Sequence, residues 1–485
     1  MTQEKNHLKG RIIDRFLQSA RRYPDRPALQ KGPFGITYSK LRLLAEDIAN
    51  QIIQSGDDRP LVGVIADKSI ECYAAILGIL MAGKGYLPLN PRFPEARTRF
   101  MIEKAGVGSV FENGRRTSQV TSQVPHARPD PAYLLFTSGT TGEPKGVQVS
   151  NNNVSAYLDF MLKTYDFSEN DRFTQNFDLT FDLSVHDLFL CWSVGACLCV
   201  PEDSSSFSMA RFIREQQPTA WFSVPSVVML MERMRLLKPG AFPSVRLCFF
   251  CGEPLYVRTV EAWRRAVPNA KIINLYGPTE ATIAISHYEI PPVPEQIKQE
   301  LGIVSIGRIF DGNSWTSQVT CEVTPVELCL SGAQIIDGYY NNPEADKQSF
   351  FMDEKTHDKC YKTGDLVKTD QDGDLFYLGR TDSEVKISGY RVNLREIENV
   401  INSYESVDQA VIIHEVKDDS QAVLHAIILS KTGHETTIQQ IDGFCRERLP
   451  WYMLPGNIIF VKEFPLNSNG KVDRSALKEK YIHGK

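Results

Sequence analysis

The chain has 485 residues, is 42% hydrophobic and 23% charged, and carries a formal net charge of −5 with a sequence pI near 6.1. That composition suits a globular protein of two or three domains and lacks the basic surplus of a nucleic-acid binder. No run of ~18 apolar residues occurs, so no membrane span is expected, and the mixed-charge opening MTQEKNHLKGRIIDRFLQ has no apolar core of signal-peptide length.

Ile12, Ile13, Phe16, Leu17 and Ala20 recur at helical spacing, and Pro24 ends the run. PLVGVIAD (60–67) reads as a buried strand, SIECYAAILGILMAGK (69–84) as a helix, and the polar stretch 113–131 as an exposed connector. In LLFTSGTTGEPKGVQVS (134–150) an apolar run stops at hydroxyls, glycines and Lys145. This is either a flexible surface loop or a cradle whose backbone N–H groups converge on phosphate oxygens. Pro144 before the lysine breaks the Walker pattern. FDLTFDLSVHDLF (177–189) opens a helix with a Val185, Leu188, Phe189, Trp192 stripe, and Asp182 or Ser184 could cap it.

TAWFSVPS then VVMLMERMRLL, and VRLCFFCG then VRTVEAWRRAV, alternate strand and helix. Such alternation predicts parallel sheets covered by helices, with ligands at the carboxyl ends of the strands. NLYGPTEATIAIS (274–286) leads an apolar run into a turn. There Tyr276 could stack on a base and Glu280 could hold Mg²⁺, or the turn is simply Gly-Pro with a Thr279 cap on a following helix. YKTGDLV (361–367) sets Asp365 after a tight turn, suited to two vicinal hydroxyls or to solvent. Beyond about 380 a small α+β domain is expected, with AVIIHE and HAIILS as strands and TIQQIDGFCRERL as a helix. NSNGKVDR (467–474) places Lys471 on an Asn-Gly turn. The ten cysteines, including Cys197, Cys199, Cys248 and Cys251, sit in apolar or strand-like runs and read as reduced core thiols in a cytoplasmic protein.

Taken in order, TSGTTGEPKG, NLYGPTE, YKTGD, GRTDSEVKISGYR and NGKVDR make the sequence resemble the adenylate-forming (ANL) superfamily of amino-acid adenylation domains, acyl-CoA synthetases and luciferases, from about residue 20 to 475. The resemblance implies an α/β fold. Residues 1–381 would form a large N-terminal domain of parallel sheets flanked by helices plus a distorted β-barrel. Residues 382–485 would form a small, mobile C-terminal α+β domain hinged at Asp382. The implied chemistry joins a carboxylate to ATP, with Mg²⁺, as an acyl-adenylate, and then passes the acyl group to a thiol. By similarity Thr137, Ser138, Gly139, Thr140, Thr141 and Lys145 hold phosphates. Asn274, Leu275, Tyr276, Gly277, Pro278 and Thr279 surround the adenine, and Glu280 supports the metal. Asp365 takes the ribose hydroxyls, Tyr377 and Arg380 contact the nucleotide, and Lys471 bridges the substrate carboxylate and the α-phosphate. Lys386 and Gly389 lie on the loop that serves thiol attack. Glu384 and Asn393 depart from the usual hinge pattern, where glutamine and an acidic residue are common.

Asp182 matches the aspartate that binds a substrate α-ammonium in amino-acid adenylation domains, which favours an amino acid over a fatty or aryl acid. Leu183, His186, Val227, Phe249, Cys251, Leu275, Ile283, Ala284 and Lys471 match the remaining pocket positions. FFCGEPL and its companions look most like stand-alone D-alanine–carrier protein ligases and free-standing nonribosomal peptide synthetase adenylation domains. Phe249 and Cys251 suggest a small side chain, alanine first, with serine or proline next. His186 departs from that subfamily's methionine and leaves a polar or ring-bearing substrate open. Nothing after Lys471 resembles a carrier domain, so the expected acceptor is a separate carrier protein bearing a phosphopantetheine arm. Such carriers are acidic, and Arg395 and Lys386 are candidate contacts.

Overall fold

The computed structural model describes residues 10–118, 128–138, 144–202, 206–317, 325–381, 384–387, 389–417, 421–431, 436–465 and 472–484. The chain divides into two compact units. The first holds the chain up to Pro91 with Ile102–Phe136 and Gly146–Thr381, and the second holds Arg92–Met101, Thr137–Lys145 and Asp382–Lys485.

The first unit is built on a nine-stranded sheet. From edge to edge its strands are Arg308–Ile309, Ser286–Ile290, Lys271–Tyr276, Leu247–Phe250, Ala220–Ser223, Arg172–Thr174, Cys197–Val200, Pro27–Lys31 and Phe34–Thr37. The six central strands from Lys271–Tyr276 to Pro27–Lys31 pair in parallel. Each of the short apolar strands Ala220–Ser223 and Leu247–Phe250 is buried throughout, as strands covered on both faces must be. A six-stranded sheet holds the parallel strands Ser109–Glu112, Leu61–Ile65, Gly85–Leu89 and Pro131–Thr137 at its centre. A five-stranded antiparallel sheet, Asn313–Thr316, Val326–Gly332, Lys359–Thr369, Phe350–Met352 and Leu375–Arg380, is the distorted-barrel part of the fold.

The expected connector at 113–131 is partly structured. Arg115–Ser118 pairs antiparallel with Ser109–Glu112, while 119–127 lie outside the described residues. A polar strand at a sheet edge needs no apolar face, which is why composition alone points to a loop. The predicted first helix runs over Ile12–Arg22 and buries Ile12, Ile13, Phe16 and Ala20. Phe16 meets Trp192 edge-on at 5.7 Å, and the Trp192 indole donates to the Ala28 carbonyl at 3.1 Å. The nine described cysteines are buried free thiols. Among the described residues no helix is long and apolar enough to cross a membrane.

The second unit packs the helices Leu394–Asn402 and Ile438–Arg446 on a three-stranded sheet of Val407–Lys417, Gln421–Ser430 and Asn457–Val461. Its core is aliphatic, with Ile397, Ile401, Ile412, Ile428 and Ile441. The two departures noted in the sequence both have local partners. Glu384 accepts from Arg391 Nε at 2.5 Å across the Glu384–Ile387/Tyr390–Asn393 hairpin, and Asn393 caps the next helix by accepting from Arg395 N.

Trp192→Ala removes a fully buried aromatic against which the first helix packs. It should cost ~3–5 kcal/mol, measured as a lower midpoint in denaturant unfolding.

Candidate active site

At the carboxyl end of Lys271–Tyr276 the chain makes a turn that organises most of the predicted residues. Gly277 is needed there, because a Cβ would lie 2.6 Å from the Ala284 Cα. A single 3-10 turn, Thr279–Ala281, follows, with no side-chain cap. Thr282 and Ile283 then adopt φ of 56° and 72°, a left-handed conformation that β-branched residues resist. The chain returns as the antiparallel strand Ser286–Ile290. The alternative of a Thr279-capped helix is therefore wrong: the turn reverses the chain into a strand instead.

Gln334 holds this turn in place. Its buried amide Nε2 lies 3.3, 3.2 and 2.7 Å from the carbonyls of Ala281, Thr282 and Ala284, and its own carbonyl accepts from the Thr282 hydroxyl at 2.6 Å. Asn313 in turn donates to Gln334 Oε1 at 3.0 Å. A lone glutamine some fifty residues away carries no local sequence signal, and the motif reading misses it.

The turn fixes two carboxylates. Glu280 is buried, and its Oε1 accepts from the Tyr339 hydroxyl at 2.8 Å. The Ile283 N–H donates to Asp182 Oδ2 at 3.2 Å. Asp182 immediately precedes the helix Leu183–Val194 but does not cap its second or third amide, and Ser184 donates to the Phe181 carbonyl. The expected cap is thus absent because the Asp182 carboxylate is turned to the Ile283 backbone. The loop before it is pinned by side chains: Asp178 accepts from Thr180 N and Oγ1, Asn176 donates to the Phe222 carbonyl, and Gln175 Nε2 donates to the Phe177 carbonyl. The helix is buried on nearly every side rather than along one stripe.

Asp182 is 5% exposed, and among the described residues no cationic side chain pairs with it. Burial raises its pKa to about 7 and the charge of Glu280 adds to the rise. Hydrogen bonds from Ile283 N–H, the Thr279 hydroxyl and Leu183 N–H pull the other way. His186, one turn along the helix, is buried, and Tyr157 Oη lies 2.5 Å from its Nδ1. Leu183, Phe249, Cys251, Leu275, Ile283 and Ala284 are buried, and Val227 is partly buried.

Asp365 does not follow a tight turn. It sits inside the long strand Lys359–Thr369, next to Gly364 at φ 73°, where the pairing with Val326–Gly332 slips register. Its Oδ2 accepts from the Tyr276 hydroxyl at 2.5 Å and its Oδ1 from Arg380 Nη1 at 2.6 Å. Three predicted residues thus meet at one carboxylate. Asn274 donates to the Ser305 carbonyl at 2.9 Å, and Tyr377 is half-buried. Pro278 and Thr279 are half-buried as well.

In the second unit Ser138 is buried and donates to the Arg391 carbonyl at 2.9 Å. Thr137 closes the strand Pro131–Thr137, and Lys145 opens Lys145–Ser150 and is buried. Lys386 lies on the hairpin strand Glu384–Ile387, Gly389 takes φ 84° at its turn, and Arg395 is exposed. Gly139, Thr140, Thr141, Asp382 and Lys471 lie outside the described residues.

Comparison with known proteins follows the same regions. The AMP-binding enzyme family matches residues 16–340, and the AMP-binding enzyme C-terminal domain matches 396–471. The chain is 29% identical to tyrocidine synthase 3 of Brevibacillus parabrevis over 95% of its own length but only 8% of that protein. It is 29% identical to an L-proline--[L-prolyl-carrier protein] ligase of Pseudomonas fluorescens, covering 96% of this chain and 98% of that one. The solved adenylation domain AlmE of Vibrio cholerae, in complex with glycyl-adenosine-5'-phosphate, matches over 100% of both chains with a TM-score of 0.85 and 27% identity.

Gln334→Ala leaves buried carbonyls without donors, so it should cost ~1–3 kcal/mol of stability. It should also release the 277–285 turn, seen as faster amide exchange at Ile283 than at the core strand Leu247–Phe250.

Proposed function

Because the chain belongs to the AMP-binding enzyme family, we propose that it activates a small α-amino acid with ATP as the aminoacyl-adenylate and transfers it to the phosphopantetheine thiol of a separate carrier protein. The observation that carries this reading is Asp182: a buried carboxylate, oriented by a backbone N–H, with no cationic partner among the described residues. A buried charge in that state is costly until a cation reaches it. A substrate α-ammonium is such a cation, and a fatty or aryl acid has none. The L-prolyl-carrier protein ligase and the glycyl-adenylate complex among the similar proteins support an amino-acid substrate and a carrier acceptor. The buried Phe249 and Cys251 favour a small side chain, alanine first, with serine or proline as alternatives. An acyl-CoA synthetase on the same fold is the competing reading, and the buried Asp182, without a cationic partner among the described residues, stands against it.

In the first step a substrate carboxylate oxygen attacks the α-phosphorus and the bond to the β-phosphate oxygen breaks, releasing pyrophosphate. The carboxylate is ionised at pH 7, so no general base is required. The barrier is anion against polyanion, and catalysis rests on placed charge and positioning. Asp182 holds the ammonium and so sets the direction of the carboxylate. Asp365, flanked by Tyr276 and Arg380, takes the ribose hydroxyls. Lys471 supplies positive charge between carboxylate and α-phosphate. Glu280, a buried hard-oxygen donor beside Tyr339, fits Mg²⁺. Bound there, the ion would offset phosphate charge. In the second step the carrier thiolate attacks the acyl carbon, a thioester forms, and AMP leaves. Residues 382–485 act as the mobile domain, with Lys386 and Gly389 serving this step.

ATP–pyrophosphate exchange across amino acids of both hands tests the reading. Exchange with a small amino acid is expected, and exchange driven only by fatty or aryl acids would overturn it. Asp182→Asn should lower kcat/KM for the amino acid by about 10²-fold or more while leaving the KM for ATP within about twofold. The pH dependence has a definite sign. With its pKa raised to about 7, Asp182 must give up a proton before it can pair with the ammonium. The amino-acid KM should therefore rise about tenfold per pH unit below 7 and level off above 8, measured by exchange at fixed ATP. Lys471→Ala should abolish exchange, while thioester formation from supplied aminoacyl-adenylate survives.

A further inference from the structure

Behind Asp182 lies a layer of rings that the reading above leaves without a role. Tyr157, on the helix Asn151–Thr164, is fully buried, and its hydroxyl is 2.5 Å from Nδ1 of His186. His186 follows Asp182 by four residues at the start of the helix Leu183–Val194, so the two side chains lie on one face. The imidazole is wedged between two phenylalanines, with ring centroids 4.2 Å from Phe222 and 5.3 Å from Phe249. Those two residues are register partners on adjacent parallel strands, so both rings leave the same face of the sheet.

The chemistry of the pair is bounded by what each group can donate. Burial pushes His186 down to about 3, so its ring is neutral and carries one N–H. Burial raises the Tyr157 phenol far above its usual value, so it keeps its proton. If the imidazole proton sat on Nδ1, the phenol would have to donate elsewhere, and among the described residues it has no other acceptor. A buried donor left unpaired is costly. We take the arrangement in which the phenol donates to Nδ1 and the imidazole proton is on Nε2.

We propose that Tyr157 is the residue that positions the specificity wall of this enzyme: its hydroxyl locks His186 in one tautomer and one orientation against Phe222 and Phe249, and the locked ring disfavours branched side chains as large as valine or leucine. The proposal rests on the amino-acid reading of Asp182 and names the substrate class that reading leaves open. Two physical consequences follow from the lock. A neutral imidazole puts no second cation beside the site of the substrate ammonium. A ring packed tilted against Phe222 and edge-on to Phe249 yields little to an extra methylene, whereas a wall free to turn would discriminate weakly. Tyr157 acts through His186 and touches no substrate.

The test compares pyrophosphate exchange with glycine, alanine, serine, valine and leucine in the wild type, Tyr157→Phe and His186→Ala. The wild type is expected to use the first three. Tyr157→Phe should keep kcat for alanine within about twofold, and should narrow the alanine-over-valine ratio of kcat/KM about tenfold, mostly through KM. His186→Ala should move the preference toward valine or leucine. Small-amino-acid exchange by the wild type with an unchanged ratio in both variants would overturn this proposal and leave the amino-acid reading intact. No exchange with any amino acid by the wild type would overturn both. A measurement independent of the variants is nitrogen NMR of histidine-labelled wild-type protein. A His186 signal protonated at Nε2 from pH 5 to 8 is expected, and protonation at Nδ1, or titration near the ordinary histidine value, would contradict the lock.

Discussion

A buried carboxylate with no counter-ion among the described residues is the constraint around which the first unit is arranged. Asp182 is held at the head of a buried helix, yet its stronger backbone hydrogen bond comes from outside that helix. It takes the N–H of Ile283, a β-branched residue in left-handed conformation. Such a conformation costs of order 1–3 kcal/mol per residue and persists only where the surroundings enforce it. Gln334 does so by clamping the carbonyls on either side, and Asn313 holds the Gln334 amide in place. The strain of the turn, the burial of the helix and the orientation of the charge are thus one arrangement, supplied by three widely separated parts of the chain.

Three carboxylates meet the 276–283 segment, Glu280 from within it and Asp182 and Asp365 through Ile283 and Tyr276, and their surroundings differ. Asp365 is already matched by the Arg380 guanidinium and the Tyr276 hydroxyl, which suits it to neutral hydroxyl partners. Glu280 is buried against the Tyr339 phenol, a hard-oxygen donor of the kind that suits a hard cation. Asp182 has backbone and hydroxyl donors but no positive charge among the described residues, which suits it to an organic cation. The proposed assignment of ribose, metal and ammonium follows this ordering of local charge.

Motifs dense in glycine, hydroxyls and charge were legible in the sequence, because such residues concentrate where backbone must approach a ligand or turn sharply. The strand–helix alternation over 220–266 was legible because buried strands read as continuous apolar runs. What escaped was long-range support. Gln334 and Tyr157 lie in segments with no distinctive spacing, and their partners are 50 and 29 residues away. The reading of Asp182 as a cap and of Asp365 as a turn residue failed for one reason: local rules describe what a residue can do with its neighbours, and both carboxylates answer to distant groups. The polar edge strand Arg115–Ser118 escaped because half its hydrogen bonding comes from a partner and little from apolar patterning.

The central claim is that Asp182 selects the amine of the substrate. Its most direct measurement is pyrophosphate exchange driven by alanine against exchange driven by propionate, the same acid without the amino group, with ATP saturating. The account predicts a ratio of kcat/KM of about 10² or more in favour of alanine. Equal exchange with the two acids would contradict it.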